Sequence, residues 1–281
     1  MARAPDRSLP IAVFDSGVGG LTVLHECLVS LPHEDFVYLG DTARFPYGDR
    51  SPEELRDFAR ELAGVLVEEG AKLLIVACNS ATAAALPALR QDLPEELPIV
   101  GVVRPESRLA ALTTRNRKVG LLATPATVSS GAYERALAKA ASGIELHAVP
   151  SAELAPLIQQ GGDVDQRVIA CVDAACRPLK SAGVDTVILG CTHYPLVRPV
   201  LRRALGRAVT IVSSGEAIAG EVEAELATAG IENDPERRGD YRFLATGDPQ
   251  EFQRLGIRFL QLPIGEVRQV PVDDPGKRAA A

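Results

Sequence analysis

TVILGCTHYPL, Thr186 to Leu196, is the stretch from which the rest of the chain can be read. Val187, Ile188 and Leu189 form a short, β-branched-rich apolar run that reads as a buried strand, and Gly190 releases the chain into Cys191, Thr192 and His193. A thiol, a hydroxyl and an imidazole therefore stand at a strand's carboxyl end. The arrangement recurs earlier, where Leu73 to Val76 run into Ala77, Cys78, Asn79 and Ser80 before an Ala-rich helical pattern from about Ala81. In open α/β sheets ligands bind outside the carboxyl ends of strands, so two such ends from distant parts of one chain can meet over a single small molecule.

Outward from these two points the same grammar repeats. Ile11 to Phe14 is a strand that empties into Asp15, Ser16, Gly17, Val18, Gly19 and Gly20, after which Leu21, Leu24, Leu28 and Leu31 keep helical spacing. Phe36 to Leu39 is a second strand, followed by the loop GDTARFPYG, Gly40 to Gly48. Ser51, Pro52 and Glu54 announce a helix: a capping Ser, Pro at the first position and Glu three residues on, with Leu55, Phe58, Leu62, Val65 and Leu66 as its buried face. A second round gives strands at 99–103, 119–122 and 144–149, with Thr124 and Thr127 just past the middle one. Val164, Val168, Ile169, Val172, Ala175, Cys176 and Leu179 mark a long amphipathic helix leading to the Cys191 strand. Further on come a strand at 209–212, a helix over roughly 217–226 and a strand at 241–245.

Alternating strands and helices imply an α/β protein with mainly parallel sheets covered on both faces. The likeness of ACNSAT to GCTHYP suggests two pseudo-symmetric, doubly wound α/β domains with the active site in the cleft between them. Pattern alone leaves open which half receives the segment after about Arg207. The tail at 273–281, DDPGKRAAA, is expected to be disordered.

Composition removes whole classes of function. The 281 residues suit one large domain or two of about 140. Hydrophobic residues at 46% and charged residues at 24% are ordinary globular values, no run approaches the roughly 18 apolar residues of a membrane helix, and MARAPDRSLP lacks a signal-peptide core. A cytoplasmic protein with no membrane partner is expected. Five cysteines, an odd number without framework spacing, fit a reducing compartment. The formal charge of -7 argues against a general nucleic-acid surface.

Isolated features have plain structural readings. Cys27, Cys171 and Cys176 lie on apolar helix faces and read as core. A metal set of Cys171, Cys176, Cys191 and His193 matches no common zinc spacing, so no metal is expected. DSGVGG departs from G-x-G-x-x-G and lacks a Walker lysine, which leaves its glycines to a tight turn and the functional weight to Asp15 and Ser16. His25, His33 and His147 read as solvated or capping. Arg44 and Arg104 read as surface charges in strand-end loops, with substrate capture or gating as the functional option.

The two thiols suggest a reaction. Placed on opposite faces of a tetrahedral carbon, a thiolate removes a proton while a thiol delivers one, inverting the centre. A free cysteine at about 8.5 would need only modest lowering, by a helix N-terminus for Cys78 and by His193 for Cys191. Asn79, Ser80, Thr124, Thr127 and Thr192, with backbone amides at helix starts, suit carboxylates, while Asp15 and Ser16 suit an ammonium group.

FDSGVGGLTVL (Phe14 to Leu24), GDTARFPYG (Gly40 to Gly48), ACNSATA (Ala77 to Ala83) and LGCTHYPL (Leu189 to Leu196), in this order, resemble the glutamate racemase family. The resemblance implies cofactor-independent interconversion of L- and D-glutamate, supplying D-glutamate for peptidoglycan. It implies Cys78 as the base for D-glutamate and Cys191 as the base for L-glutamate, with Asp15 and His193 assisting. Asp15, Ser16, Tyr47, Gly48, Asn79, Thr192 and His193 would line the substrate. Domains of 8–98 plus 208–265 and of 99–207 are implied, as are a homodimer and, for some members, a regulatory partner such as gyrase. Three departures stand out: Ser80 for the usual Thr, Arg104 and Glu106 in GVVRPES where the typical loop lacks their charge, and Gln159-Gln160 where Glu is usual. A relative acting on aspartate, and a racemase scaffold serving chiefly to bind a partner, are the alternative readings.

Overall fold

The computed structural model describes residues 6–161 and 164–272. The expected disorder of the tail lies outside the described residues. Among the described residues ten strands form two sheets: β1 Ile11–Asp15, β2 Phe36–Gly40, β3 Leu73–Val76, β4 Ile99–Gly101, β5 Lys118–Ala123, β6 Glu145–Pro150, β7 Thr186–Gly190, β8 Thr210–Ser213, β9 Tyr241–Ala245 and β10 Val267–Gln269. The first sheet runs β10-β9-β2-β1-β3-β4 and the second β6-β5-β7-β8. Every pairing is parallel. Strands β1, β2, β3 and β7 are buried along their whole length, as central strands covered on both faces must be, which explains their uninterrupted apolar runs.

The internal repeat is visible in the connectivity. Order β2-β1-β3-β4 in one sheet is matched by β6-β5-β7-β8 in the other, and β9 and β10 extend only the first. In each, the strand order reverses at the first strand of the repeat, so the crevice falls between β1 and β3 in one half and between β5 and β7 in the other. Cys78 and Cys191 follow the equivalent strands β3 and β7. The sheets change over one strand later than the boundaries read from sequence: β4 completes the first sheet and β8 the second, and β10 lies beyond residue 265. Short edge strands carry too few residues for pattern to assign them to a sheet.

Local signals act as the sequence suggests. The helix Pro52–Glu68 starts with a complete capping box, Ser51 N–H donating to Glu54 at 2.9 Å and Glu54 N–H to Ser51 Oγ at 3.2 Å. Its buried face is Leu55, Phe58, Ala59, Leu62, Ala63 and Leu66, with Val65 half-buried at the margin. The long helix begins at Gln166, capped by Asp165, so Val164 stays outside it. After Cys191 a 3-10 turn, Tyr194–Val197, precedes the helix Arg198–Leu205, so only Cys78 directly caps a helix.

Arg44 is not a surface charge. It is 1% exposed, and its Nε donates to Asp41 at 2.7 Å while Nη1 pairs with Glu61. Asp41, fully buried, also accepts from Thr246 Oγ1 at 2.7 Å and from the Tyr47 hydroxyl, and this pins the loop that carries Tyr47 and Gly48. Removing one partner strands the other charge, so Arg44→Met is expected to cost about 3–5 kcal/mol in denaturant unfolding. Arg104→Met, whose exposed side chain pairs with Glu221 and Glu225, should cost less than about 1 kcal/mol.

Candidate active site

The crevices of the two halves face one another across a small cavity. Its wall includes Ser16, Tyr47, Gly48, Cys78, Asn79, Ser80, Thr124, Cys191, Thr192 and His193, all expected from the sequence. Two expected residues stand behind the wall. Asp15 accepts from Thr192 Oγ1 at 3.1 Å and Gly17 N–H at 3.0 Å, and Thr127 bonds Ser80 and Thr124 Oγ atoms at 3.0 Å each. Ser80 Oγ and Thr124 Oγ1 are themselves 2.9 Å apart, so three hydroxyls from both halves close a triangle. Serine at position 80 keeps this link, and the change from threonine costs it nothing polar. Phe45, Pro46 and Gly190, which lie inside the quoted motifs, complete the wall together with Ala152, Ala155 and Pro156, which carried no sequence signal.

Cys78 caps the helix Asn79–Asp92, its Sγ accepting from Ala81 N–H at 3.5 Å. The Ser16 hydroxyl and amide also face that sulfur, while the amides of His193 and Tyr194 face the sulfur of Cys191. The two thiols are near enough for their charges to interact. Neither is a low-pKa thiol, contrary to expectation. Burial pushes Cys78 up to about 12 and Cys191 higher still, outweighing the amides, with Asp15 adding to both. Both sulfurs are therefore held in the thiol form.

His193 shares that desolvation. Its ring packs against Phe45 at 5.2 Å and Phe259 at 5.1 Å, and burial lowers it to about 3, so it is a neutral imidazole throughout the working range. Nδ1 lies 4.0 Å from Cys191 Sγ and Nε2 2.8 Å from Gln159 Oε1. The departure at 159 therefore touches the site through His193. An amide, unlike a carboxylate, serves either tautomer of the ring, because it offers an acceptor and a donor.

The glycines of DSGVGG do more than turn the chain. A Cβ at Gly19 would lie 2.3 Å from His193 Nδ1 and 2.4 Å from Thr192 Oγ1, and one at Gly20 2.5 Å from Asp15 Cβ. Gly19 allows the first half to approach the second, and Gly20 lets the turn fold closely over Asp15 and Tyr38. Arg104 points away from the cavity, and Glu106 is buried behind Asn79, so neither puts charge on the wall. Cys27 and Cys176 are core, as read, and Cys171 is half-buried. His25 and His33 meet the carbonyls of Leu260 and Arg237. Among the described residues no group of His, Cys, Asp and Glu gathers that could hold a metal ion, so the imagined four-residue set is not assembled. No helix among them is long and apolar enough to cross a membrane.

Two parallel α/β domains meeting at a small cavity that holds a thiol from each define the class, an isomerase of the amino-acid racemase type. Residues 22–222 match the family model described as Asp/Glu/Hydantoin racemase. A curated glutamate racemase of Beutenbergia cavernae is 44% identical over 268 residues, 92% of this chain and 91% of the relative. A glutamate racemase isoform from Bacillus anthracis superposes with TM-score 0.89 at 38% identity, covering 96% of this chain and 99% of that one. One from Francisella tularensis, crystallised with D-glutamate, gives 0.87 at 30% identity over 94% and 98%. The chain belongs to the glutamate racemase family.

Proposed function

We propose that this racemase interconverts L- and D-glutamate without a cofactor by two-base proton transfer between Cys78 and Cys191, supplying D-glutamate for peptidoglycan. The observation that carries the reading is the pair of thiols at equivalent strand ends of two repeated halves, both on one cavity wall. One sulfur, as thiolate, removes the Cα proton as the other, as thiol, delivers its own to the opposite face. Cys78 serves D-glutamate and Cys191 serves L-glutamate.

The high thiol pKa values suit this chemistry. The Cα–H bond is a weak acid, and a general base gains strength as its own pKa rises. A desolvated thiolate is a stronger base than one in water, at the cost of a small population. Bound ammonium supplies the positive charge that favours ionisation of the facing thiol, and the neutral ring of His193, with Nδ1 4.0 Å from Cys191 Sγ, orients that thiol as a hydrogen-bond partner. Ser80, Thr124 and the amides opening the helix Asn79–Asp92 receive a carboxylate. Asp15 holds Thr192 in place from behind.

The test is a circular-dichroism racemisation assay on the purified chain without added cofactor, using both glutamates and, side by side, L-aspartate across pH 5 to 9. Activity on both glutamates and little on aspartate is expected; the converse would transfer the chemistry to another substrate. Burial raises Asp15 from 3.8 to about 6. Activity should therefore fall as pH drops through about 6, where Asp15 protonates and ceases to be a full acceptor for Thr192 and the Gly17 amide. Asp15→Asn should remove that limb, and His193→Asn should leave its position unchanged. The sign for stability is the opposite. The folded state binds this proton more tightly, so this group's contribution is present below 3.8 and is lost as pH rises through 6, a cost of about 3 kcal/mol.

A further inference from the structure

Glu106 takes no part in the proton transfers and has no place on the cavity wall, yet its burial is complete. It lies in the first turn of the helix Val103–Thr113. Its carboxylate accepts from three side chains on three other elements: Asn79 Nδ2 at 3.1 Å, the Tyr133 hydroxyl and the Ser214 hydroxyl. Burial pushes its carboxyl up to about 7 and these donors draw it down. No cation lies among those partners, so the group is held by neutral donors alone.

The consequence falls on Asn79, a wall residue that directly follows Cys78. Its Nδ2 donates both to Glu106 and, at 2.8 Å, to the Tyr133 hydroxyl, which exhausts its two amide hydrogens. Its Oδ1 is buried and has no hydrogen-bond partner among the described residues. A buried acceptor left unpaired is costly, and a flip of the amide would set its oxygen against the Glu106 carboxylate. The only donor that the reaction itself brings to this wall is the substrate's ammonium group.

We propose that Glu106 is a positioning residue, which locks the Asn79 amide so that Oδ1 is presented to the ammonium group of bound glutamate. The proposal rests on the reading of the cavity as the glutamate site. It also gives the lock a place in the domain arrangement. The helix carrying Glu106 joins β4 of the first sheet to β5 of the second, and Ser214 opens the helix that leads from β8 back to β9. Both chain crossings between the halves therefore meet at this carboxylate. Asn79 comes from the first half and Tyr133 from the second, so the orientation of the amide depends on the halves being seated together.

Steady-state kinetics on Asn79→Ala, Glu106→Ala, the double variant and Glu106→Gln test it. Loss of a hydrogen bond to a charged group corresponds to roughly 10- to 100-fold in binding, so Asn79→Ala and Glu106→Ala should each raise KM for both enantiomers by at least about tenfold, with kcat less affected. The double variant should be no worse than Asn79→Ala, because Glu106 acts only through that amide. Glu106→Gln should stay within about threefold of the native KM, since its carbonyl can face Asn79 and Tyr133 while its NH₂ group donates to Ser214. If Glu106→Ala does not fold, Tyr133→Phe, which removes the second anchor, is measured in the same cycle with a smaller expected rise. Multiplying effects in the double variant would overturn the proposal, as would a glutamine variant as impaired as alanine. An unchanged KM in Asn79→Ala would remove the ammonium contact and the proposal with it. Glutamate racemisation by the native chain, read in the same assay, keeps that result apart from a failure of the site reading.

Discussion

Cys78→Ser and Cys191→Ser are each expected to lower kcat by about a thousandfold or more in both directions, with KM changed by no more than a few-fold. Serine preserves the shape of each wall and the hydrogen bonds offered by Ala81, Ser16, His193 and Tyr194. What it loses is an acidic group able to ionise. The desolvation that already pushes Cys78 up to about 12 acts equally on an alkoxide, which begins from a far higher pKa. Inversion needs a base on one face and an acid on the other, so either loss stops it. Cys171→Ser is the matched control: a half-buried thiol, 3.6 Å from Ser151 Oγ, whose replacement should leave kcat within about twofold of native. Equal damage from all three variants would point to folding and away from chemistry. Retention of native rates in either wall variant would contradict the two-base reading.

Gly19→Ala is expected to abolish most activity although it leaves both wall thiols chemically intact. The new methyl would stand 2.3 Å from His193 Nδ1 and 2.4 Å from Thr192 Oγ1, closer than real contacts allow. His193 cannot retreat, being packed between Phe45 and Phe259 and tethered to Gln159. Thr192 is tied to Asp15. The halves must then separate slightly, and a displacement on the order of 1 Å costs about a hundredfold in rate. The expected result is a fall of that size or more in kcat/KM in both directions. Gly64→Ala makes the contrast. That position lies inside the helix Pro52–Glu68 with nothing within 4 Å of an added Cβ, so activity should be unchanged and stability should rise by about 0.5–1 kcal/mol.

These two variants also separate what the sequence made legible from what it hid. The thiols were legible because each interrupts a simple pattern, an apolar strand ending abruptly in polar residues, and the pattern occurs twice. The strand order bears out that repeat, with Cys78 and Cys191 at equivalent places. Most of the wall was legible for the same reason, since strand-end residues face the crevice in an α/β sheet. Asp15 and Thr127 were expected at the site but stand one layer back, because one residue of register separates a wall position from a supporting one.

Long-range burial was hidden. The thiol pKa values run opposite to the expectation drawn from a helix terminus and a neighbouring histidine. A local sequence shows those neighbours but not the apolar rings and the second domain that exclude water from them. The same holds for Arg44, whose loop composition suggests a surface while its carboxylate partners, Asp41 and Glu61, hold it inside. Gly19 and Gly20 looked like turn residues, yet their decisive neighbours are His193 and Thr192 for the first and Asp15 for the second. Glu106 was recognisable as an unusual charge, but its partners Asn79, Tyr133 and Ser214 come from segments scattered over more than a hundred positions of the chain.

The most direct measurement is the fate of the Cα hydrogen during the first few per cent of turnover in D₂O, starting from protiated L-glutamate and separately from protiated D-glutamate. With two thiols, the group that delivers has exchanged with solvent before the substrate arrives, and the group that removes stands on the other face. The product should therefore carry deuterium at Cα from the first turnover, while unreacted substrate remains protiated. Protiated product, formed by return of the substrate's own hydrogen, would show a single base serving both faces and contradict the account.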